Sequence, residues 1–153
     1  MLYCYTIFAN MLCGKEGIFL SVFSFIDKVE EFEKNDSLTA YYTLTGKEEF
    51  LKDHFKNFPV IPGVLLLEMV KQAAGSLLQL SDGSGKKNYR LTGAEEVRFG
   101  QFIKPGSQLK ISVRLLKQEA ESDLFDGRID LMSPPFGKAL SVTLVLAPVN
   151  QAS

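Results

Sequence analysis

An apolar segment in the middle of the 153-residue chain constrains the fold more than any other part of the sequence. From Pro62 to Leu78 most residues are apolar, and the segment is interrupted only by a thin polar stripe: Glu68, Lys71, Gln72 and, just beyond, Gln79. Proline is favoured in the first turn of a helix, so the segment predicts a helix that begins at Pro62. A helix that is apolar nearly all round is a buried helix. The rest of the chain must therefore wrap around it.

Segments with a two-residue period lie on both sides of this helix. Residues 38–45 alternate apolar side chains with threonine and tyrosine, as expected of a strand with one buried face. The segment from Ile18 to Glu33 predicts an earlier strand, and Asn35-Asp36 predicts the hairpin turn between the two. Four further strands, expected to form an antiparallel meander, are predicted over residues 89–99, 109–115, 125–131 and 140–146.

This order of elements predicts an α+β fold. Two strands, one long helix and four strands suit a central helix wrapped by an antiparallel sheet of about six strands. No internal repeat or linker divides the chain, so residues 1–153 are expected to form one domain. Residues 1–17 are an apolar N-terminal segment that is expected to form a short helix.

Composition excludes several classes of function. The formal net charge is −1 and no long basic run occurs, so no nucleic-acid partner is indicated. Cys4 and Cys13 lie far from the only histidine, so no metal site is predicted, and a reducing cytoplasm fits the cysteine usage best. A signal peptide requires a basic residue near its start, but no lysine or arginine precedes Lys15, so no signal peptide is expected. Asn10 and residues 14–17 interrupt the apolar start, so no membrane span is expected.

The start of the predicted helix offers unused backbone donors. Ile61 occupies the predicted N-cap position, and isoleucine cannot cap the N–H groups of the first turn. The positive helix end favours an oxygen that becomes negative during a reaction, as in an oxyanion hole. Gly63 would let a substrate approach this backbone without a Cβ in the way. Either a ligand or a neighbouring loop could satisfy these donors.

His54 and Glu68 are candidates for a base and an acid. Burying an unpaired carboxylate is costly, and burial favours the protonated form, which can protonate a leaving hydroxyl. The alternative is a structural carboxylate paired with Lys71 or bonded to Gln72, one turn further along the helix. His54 precedes the positive helix end, which favours the neutral imidazole that acts as a base. A lone histidine in a loop is, however, more often incidental.

A set of positions around the helix start matches a family pattern in which His-Phe-Pro-Gly-x-Pro-x-x-Pro-Gly-Val precedes a helix carrying Glu and, four residues on, Gln. The matching residues are His54, Phe55, Pro59, Pro62, Gly63, Val64, Glu68 and Gln72. Further matches are Asp27, Val29, Arg98, Phe99, Pro105 and Gly106. Together they resemble the Z-type 3-hydroxyacyl-acyl carrier protein dehydratases of bacterial fatty-acid synthesis, which have the hotdog fold. The resemblance covers about residues 18–147.

The resemblance implies dehydration of a 3-hydroxyacyl thioester on acyl carrier protein to the trans-2-enoyl thioester, without a cofactor. His54 would remove the C2 proton, Glu68 would protonate the departing C3 hydroxyl, and the Gly63 N–H would hold the thioester oxygen. The substrate-binding positions that the resemblance carries over are Phe55, Pro62, Val64, Gln72, Arg98 and Phe99. It also implies a homodimer in which the histidine and the acidic residue of one site come from different subunits, and further assembly to a hexamer, a trimer of dimers.

Three residues depart from the family pattern and keep other functions open. Lys56 and Asn57 replace the Pro-Gly that follows His-Phe, and Lys71 stands where a small residue is usual. An ion pair between Lys71 and Glu68 would oppose protonation of the carboxylate. The alternatives are an acyl thioesterase of the same fold, because a fold does not determine the reaction, and a non-catalytic acyl-binding subunit.

Overall fold

A computed structural model of the chain describes residues 24–47, 61–82 and 88–149. Within these ranges one helix packs against a single sheet of six strands. The elements are β1 (Lys28–Glu33), β2 (Ser37–Thr43), α1 (Gly63–Asp82), β3 (Tyr89–Phe99), β4 (Gln108–Gln118), β5 (Asp123–Leu131) and β6 (Gly137–Pro148). The predicted α+β fold is confirmed. The short helix predicted over residues 1–17 lies outside the described residues.

The order of strands in the sheet is β1-β2-β4-β5-β6-β3, and all neighbours are antiparallel. Strands β4, β5 and β6 form the predicted meander. The meander prediction is wrong for β3, which does not lie beside β4 but pairs with β6, from Tyr89 opposite Pro148 to Phe99 opposite Leu140. The physical reason is that β4 already pairs with β2 on one side and with β5 on the other. The open edge of the meander is therefore that of β6, where β3 pairs.

The core lies between α1 and the inner face of the sheet. Nine apolar side chains of α1 are buried, which confirms the helix predicted from its apolar composition. The inner-facing residues of β2, β4, β5 and β6 are the alternating apolar positions expected from the two-residue period. The helix and β5 approach closely at Gly127, where an added Cβ would overlap Cγ1 of Val70.

The start of the sheet differs from the sequence prediction. The strand predicted from Ile18 to Glu33 is limited, within the described residues, to β1, and residues 24–27 lie outside any strand. Phe25 of this segment is buried at 1 % exposure, so it packs against the core instead of continuing the sheet. The predicted turn at Asn35 is confirmed, and its φ of 57° is one that asparagine adopts more readily than most residues.

Among the described residues, no helix combines the length and the apolar character that would be needed to cross a membrane.

Candidate active site

The start of α1 lies one residue later than the sequence predicts. The helix begins at Gly63, so Pro62 and not Ile61 precedes its first residue, and neither side chain can cap a backbone donor. The Ile61 N–H donates to the Ile103 carbonyl oxygen at 3.0 Å, and the Leu65 N–H donates to the Pro62 carbonyl oxygen at 3.0 Å. The first bond ties the helix start to the loop between β3 and β4.

The first two residues of α1 present donors that the neighbouring structure does not use. Within the part of the chain that the structure describes, the N–H groups of Gly63 and Val64 donate no hydrogen bond. They lie at the positive end of a 20-residue helix. This arrangement suits an oxygen that carries partial or developing negative charge. A neighbouring loop was the alternative partner for these donors. The loop between β3 and β4 does lie beside the helix start, but it accepts the N–H of Ile61 and not those of Gly63 and Val64.

The ring of Phe99 covers Gly63. A Cβ added at Gly63 would lie 2.8 Å from Cε1 of Phe99, so a glycine is needed for the ring to lie at this distance. Phe99 ends β3 and remains 46 % exposed, which leaves part of the ring open to solvent next to the helix start. The structure therefore brings together two of the residues predicted from the sequence, one as a backbone donor and one as an apolar wall.

Glu68 is held by two side chains of its own helix. Nε2 of Gln72 donates to Oε1 of Glu68 at 3.1 Å, and Nζ of Lys71 lies 3.7 Å from Oε2. The side chains of Glu68 and Lys71 are only 13 % and 19 % exposed. Both structural contacts that the sequence offered as alternatives for Glu68 are thus present together.

A third contact fixes the orientation of the Gln72 amide. The backbone N–H of Phe25 donates to Oε1 of Gln72 at 2.8 Å. Because a backbone N–H can only donate, the amide oxygen must face Phe25 and the amide NH₂ must face Glu68. The segment before β1 therefore determines how Gln72 meets the carboxylate.

The Gly63 N–H and the Glu68 carboxylate lie at different places on α1. Five residues separate them, which corresponds to a rise of about 7.5 Å along the helix axis; the N–H is directed along that axis, whereas the Glu68 side chain projects sideways from it. Glu68 shares its side of the helix with Lys71 and Gln72, three and four residues on. The start of α1 thus presents backbone donors, and the carboxylate lies more than one turn further along the helix.

Other residues predicted to form the site fall in different places. Arg98 lies opposite Ser141 and Phe99 lies opposite the buried Leu140, so Phe99 faces the helix and Arg98 faces the outside of the sheet. Pro62 is buried and Val64 is half-buried in the first turn. The predicted base and its neighbours, His54, Phe55, Lys56 and Asn57, lie outside the described residues.

A cleft of about 440 Å³ lies beside the β3–β4 loop, the same loop whose Ile103 carbonyl oxygen accepts the Ile61 N–H. Its lining comes from the β3–β4 loop and the β5–β6 turn: Gln101, Phe102, Lys104, Pro105, Gly106, Ser107, Ser133, Pro134 and Pro135. Phe102 and the nearby Phe136 are 66 % and 68 % exposed. No sequence pattern predicted this cleft, although the two phenylalanines next to turn residues and prolines, Phe102 and Phe136, are a signal that could have indicated exposed apolar surface there.

Within the described ranges, no group of three or more histidine, cysteine, aspartate or glutamate side chains is arranged to hold a metal ion.

Comparison with known proteins gives the family. Residues 30–129 match the family described as ApeI dehydratase. The chain is 37 % identical over 108 residues to the 3-hydroxyacyl-acyl-carrier-protein dehydratase FabZ of Nitratidesulfovibrio vulgaris, with 69 % of this chain and 70 % of the relative covered. It is 39 % identical over 110 residues to FabZ of Coxiella burnetii, with 69 % and 77 % covered.

Solved structures agree on the fold. The dehydratase heterocomplex ApeI:P from Xenorhabdus doucetiae superposes with a TM-score of 0.69 at 20 % identity, covering 84 % of each chain. The Streptococcus mutans protein smu.793, bound to acetyl CoA, gives 0.61 at 15 % identity, covering 84 % of this chain and 91 % of that one. The predicted hotdog architecture is confirmed by these neighbours, and the predicted hydro-lyase class by the named relatives. The chain therefore belongs to the family of FabZ-like and ApeI-like dehydratases.

Proposed function

We propose that this protein removes water from 3-hydroxyacyl thioesters carried by acyl carrier protein and releases the trans-2-enoyl thioester. One observation supports this reaction more than any other: the Gly63 N–H has no partner within the described residues and lies at the positive end of α1, while the Phe99 ring packs against the side of Gly63 where a Cβ would be. A thioester oxygen bound there would be stabilised as the C2 proton leaves and negative charge develops on it. The names of the FabZ relatives state the same reaction class.

The proposed reaction needs a base at C2 and an acid at C3. His54 takes the C2 proton, and the electron pair of the C2–H bond forms the C2–C3 double bond as the C3–O bond breaks. Glu68 gives its proton to the departing hydroxyl, which leaves as water. The two residues then return to their starting protonation states by exchange with solvent, so no cofactor is consumed.

We propose that the site is completed by a second subunit in a homodimer. The Gly63 N–H is directed along the axis from the helix start, whereas the Glu68 side chain projects sideways from the helix about 7.5 Å further along, which is compatible with the two groups serving different sites. In a two-fold symmetric dimer, each helix would supply the oxyanion donor to one site and the carboxylate to the other. Association of three such dimers into a hexamer is part of the proposal, as are a cytoplasmic location and a single domain over residues 1–153.

We propose that the carrier protein docks beside the cleft between the β3–β4 loop and the β5–β6 turn. Lys104 lines this cleft, and Arg98 projects from the outer face of the neighbouring strand. An acidic carrier would be attracted by these cations, while Phe102 offers apolar contact area. The acyl chain itself would enter past Phe99, with Phe55, Pro62, Val64 and Gln72 as further substrate contacts.

Hydration of an enoyl thioester, the reverse reaction, tests the proposed function. Loss of enoyl absorbance is followed with wild type, His54→Ala and Glu68→Ala, while a thiol reagent reports any hydrolysis. We expect rapid hydration by wild type, a loss of about 100-fold or more in each variant, and no thiol release. Thiol release by wild type would indicate the thioesterase alternative. Tight binding of the thioester without turnover would indicate an acyl-binding subunit.

A further inference from the structure

The β3–β4 loop contains a buried hydroxyl without a hydrogen-bond partner. Ser107 is 8 % exposed and lines the cleft between this loop and the β5–β6 turn. Its N–H donates to the Lys104 carbonyl oxygen at 3.1 Å, and its carbonyl oxygen accepts the Leu44 N–H at 2.9 Å. Within the described residues, Oγ of Ser107 forms no hydrogen bond. Because an unbonded buried hydroxyl costs free energy, a group bound in the cleft would supply a partner that the fold does not.

A second hydroxyl of the cleft is also able to donate. Ser133 lines the cleft from the β5–β6 turn, and its Oγ accepts the Gln108 N–H at 3.3 Å. Because this bond uses a lone pair of the oxygen, the hydroxyl hydrogen remains available to an acceptor in the cleft. Gln108 directly follows Ser107, so the same bond holds the two serines close together. The cleft therefore offers two neighbouring hydroxyl donors.

The charge of the cleft favours an anion. Among the described residues that line it, Lys104 carries the only charge. An ammonium and two hydroxyls are three donors, and a phosphate group has three strong acceptor oxygens. The volume of about 440 Å³ leaves room for the carbon atoms of a phosphate ester beside the apolar part of the lining, which consists of Phe102, Pro105, Pro134 and Pro135.

We propose that this cleft is a phosphate-binding subsite, in which the ammonium of Lys104 and the hydroxyls of Ser107 and Ser133 hold the oxygens of a phosphate ester. Two sources supply such a group: the phosphopantetheine arm through which a carrier protein holds its acyl chain, and free phosphate compounds. Occupation by the arm rests on the proposed function, whereas phosphate binding as such does not.

The position of the cleft suits the arm. The hydrogen bond from Ile61 to Ile103 keeps the Lys104 Cα within roughly 13 Å of the Gly63 N–H, since two residues of chain span at most about 7 Å. An extended phosphopantetheine arm is longer than this. One substrate can therefore place its phosphate in the cleft and its thioester oxygen at the proposed backbone donor.

The test is calorimetric binding of pantetheine 4′-phosphate and of pantetheine, which differ only in the phosphate. Wild type should bind the phosphorylated compound about 10-fold more tightly or better, because the bonds to it are charge-assisted. Ser107→Ala and Lys104→Met should lose most of this preference and keep the wild-type affinity for pantetheine. Absence of the preference in wild type, or its persistence in both variants, would overturn the proposal.

Two control variants change the same residue types elsewhere. Ser112→Ala lies on the outward face of β4, and Lys117→Met removes a lysine from an exposed ion pair further along that strand; both should keep the preference. Ser107→Ala should fold at least as stably as wild type in urea unfolding, because it removes an unbonded hydroxyl. Lys104→Gln is measured as well, so that a folding defect of the methionine variant does not decide the outcome.

Two further measurements distinguish the sources of the phosphate. Displacement of pantetheine 4′-phosphate by inorganic phosphate would support the subsite and identify free phosphate as an occupant. For the arm, we expect a lower KM for dehydration of 3-hydroxyacyl pantetheine 4′-phosphate than of the unphosphorylated thioester, and loss of this difference in Ser107→Ala with kcat unchanged. Equal KM values in wild type would overturn the role of the arm and leave the proposed function intact. Dehydration of neither thioester would overturn the proposed function, while the binding comparison still decides the subsite.

Discussion

At the scale of single residues, Gly63 and Phe99 are the pair on which the candidate site depends most. The ring lies so close to the Gly63 Cα that any larger side chain would contact it. The proposed role of Gly63 as an N–H donor does not itself require glycine, because every residue except proline has a backbone N–H. The structure supplies the reason for glycine, since it makes room for a neighbouring aromatic ring.

Gly63→Ala should destabilise the protein by about 1–3 kcal/mol, because the new Cβ forces the Phe99 ring to move. Urea unfolding measures the loss. In Gly63→Ala/Phe99→Ala most of the destabilisation due to the alanine at 63 should disappear, since the obstructing ring is gone. Additive losses in the double variant would show that the ring is not the obstacle.

Asp123 is a second residue with a measurable consequence. It is 7 % exposed, and its Oδ1 is buried without a hydrogen-bond partner among the described residues. Burial raises the pKa of Asp123 above its ordinary value of 3.8. Burial also raises the pKa of Tyr89, with smaller contributions from the negative charges of Asp123 and Asp82. The folded protein thus binds the Asp123 proton more tightly than the unfolded chain does. The ionised carboxylate costs stability at neutral pH.

Asp123→Asn should raise the free energy of unfolding at neutral pH by on the order of 1 kcal/mol, because the buried charge is removed. The gain should shrink as the pH falls through the raised folded pKa and vanish below the ordinary value of 3.8, where wild-type Asp123 is neutral in both states. Asp126→Asn, at an exposed position of the same strand, is the control and should change stability little. An equal effect of Asp123→Asn at all pH values would contradict this account.

At the scale of elements, α1 and β5 approach each other closely at one point near Glu68. Gly127 is an inward-facing residue of β5, and Val70 lies directly against it. Val70 follows Glu68 by two residues, so a shift of the helix at this point would also move the carboxylate. The close approach of helix and strand is therefore relevant to function as well as to packing.

Gly127→Ala should destabilise the fold by about 1–3 kcal/mol, because the added Cβ overlaps Val70 in a closely packed core. Gly93→Ala is the matched control, since a Cβ there would make ordinary contact with Val145 at 3.6 Å. Thermal unfolding of both variants gives the comparison. Equal melting temperatures would show that the helix can move away from β5 at little cost.

The elements were predicted from the sequence with different success, for physical reasons. Side-chain periodicity determines which residues face the core, and so the inner faces of β2, β4, β5 and β6 were predicted correctly. Periodicity carries no information on which strands are neighbours, and the position of β3 beside β6 was missed for that reason. The contact of Gln72 with the Phe25 backbone joins residues 47 positions apart and leaves no local pattern.

Asp123 shows a prediction that the same periodicity could have provided. Asp123 lies two residues before Phe125, so it faces the same side of β5 as Phe125 and Ile129, which point into the core. The strand predicted from the sequence began at Phe125, two residues too late to include it. An earlier start would have placed a carboxylate on the buried face. The Glu68–Gln72 contact, in contrast, follows directly from helical spacing, and its prediction from the sequence is confirmed.

At the scale of the whole molecule, the proposed sites are shared between two subunits. A mixture of His54→Ala and Glu68→Gln protein tests this sharing, because a mixed dimer would contain one site with both residues intact. After subunit exchange at equal concentrations, about a quarter of wild-type activity should return, although each variant alone is nearly inactive. If subunit exchange is demonstrated but activity does not return, His54 and Glu68 of one site belong to the same subunit.

The central claim is that this chain removes water from a hydroxyacyl group while leaving the thioester intact. Intact-mass spectrometry of a 3-hydroxyacyl carrier protein, incubated with wild type or with Glu68→Gln, measures this directly. The account predicts that wild type lowers the mass of the carrier conjugate by one water molecule toward the equilibrium mixture, and that Glu68→Gln leaves it nearly unchanged over the same time. Loss of the entire acyl group, or no change with wild type, would contradict it.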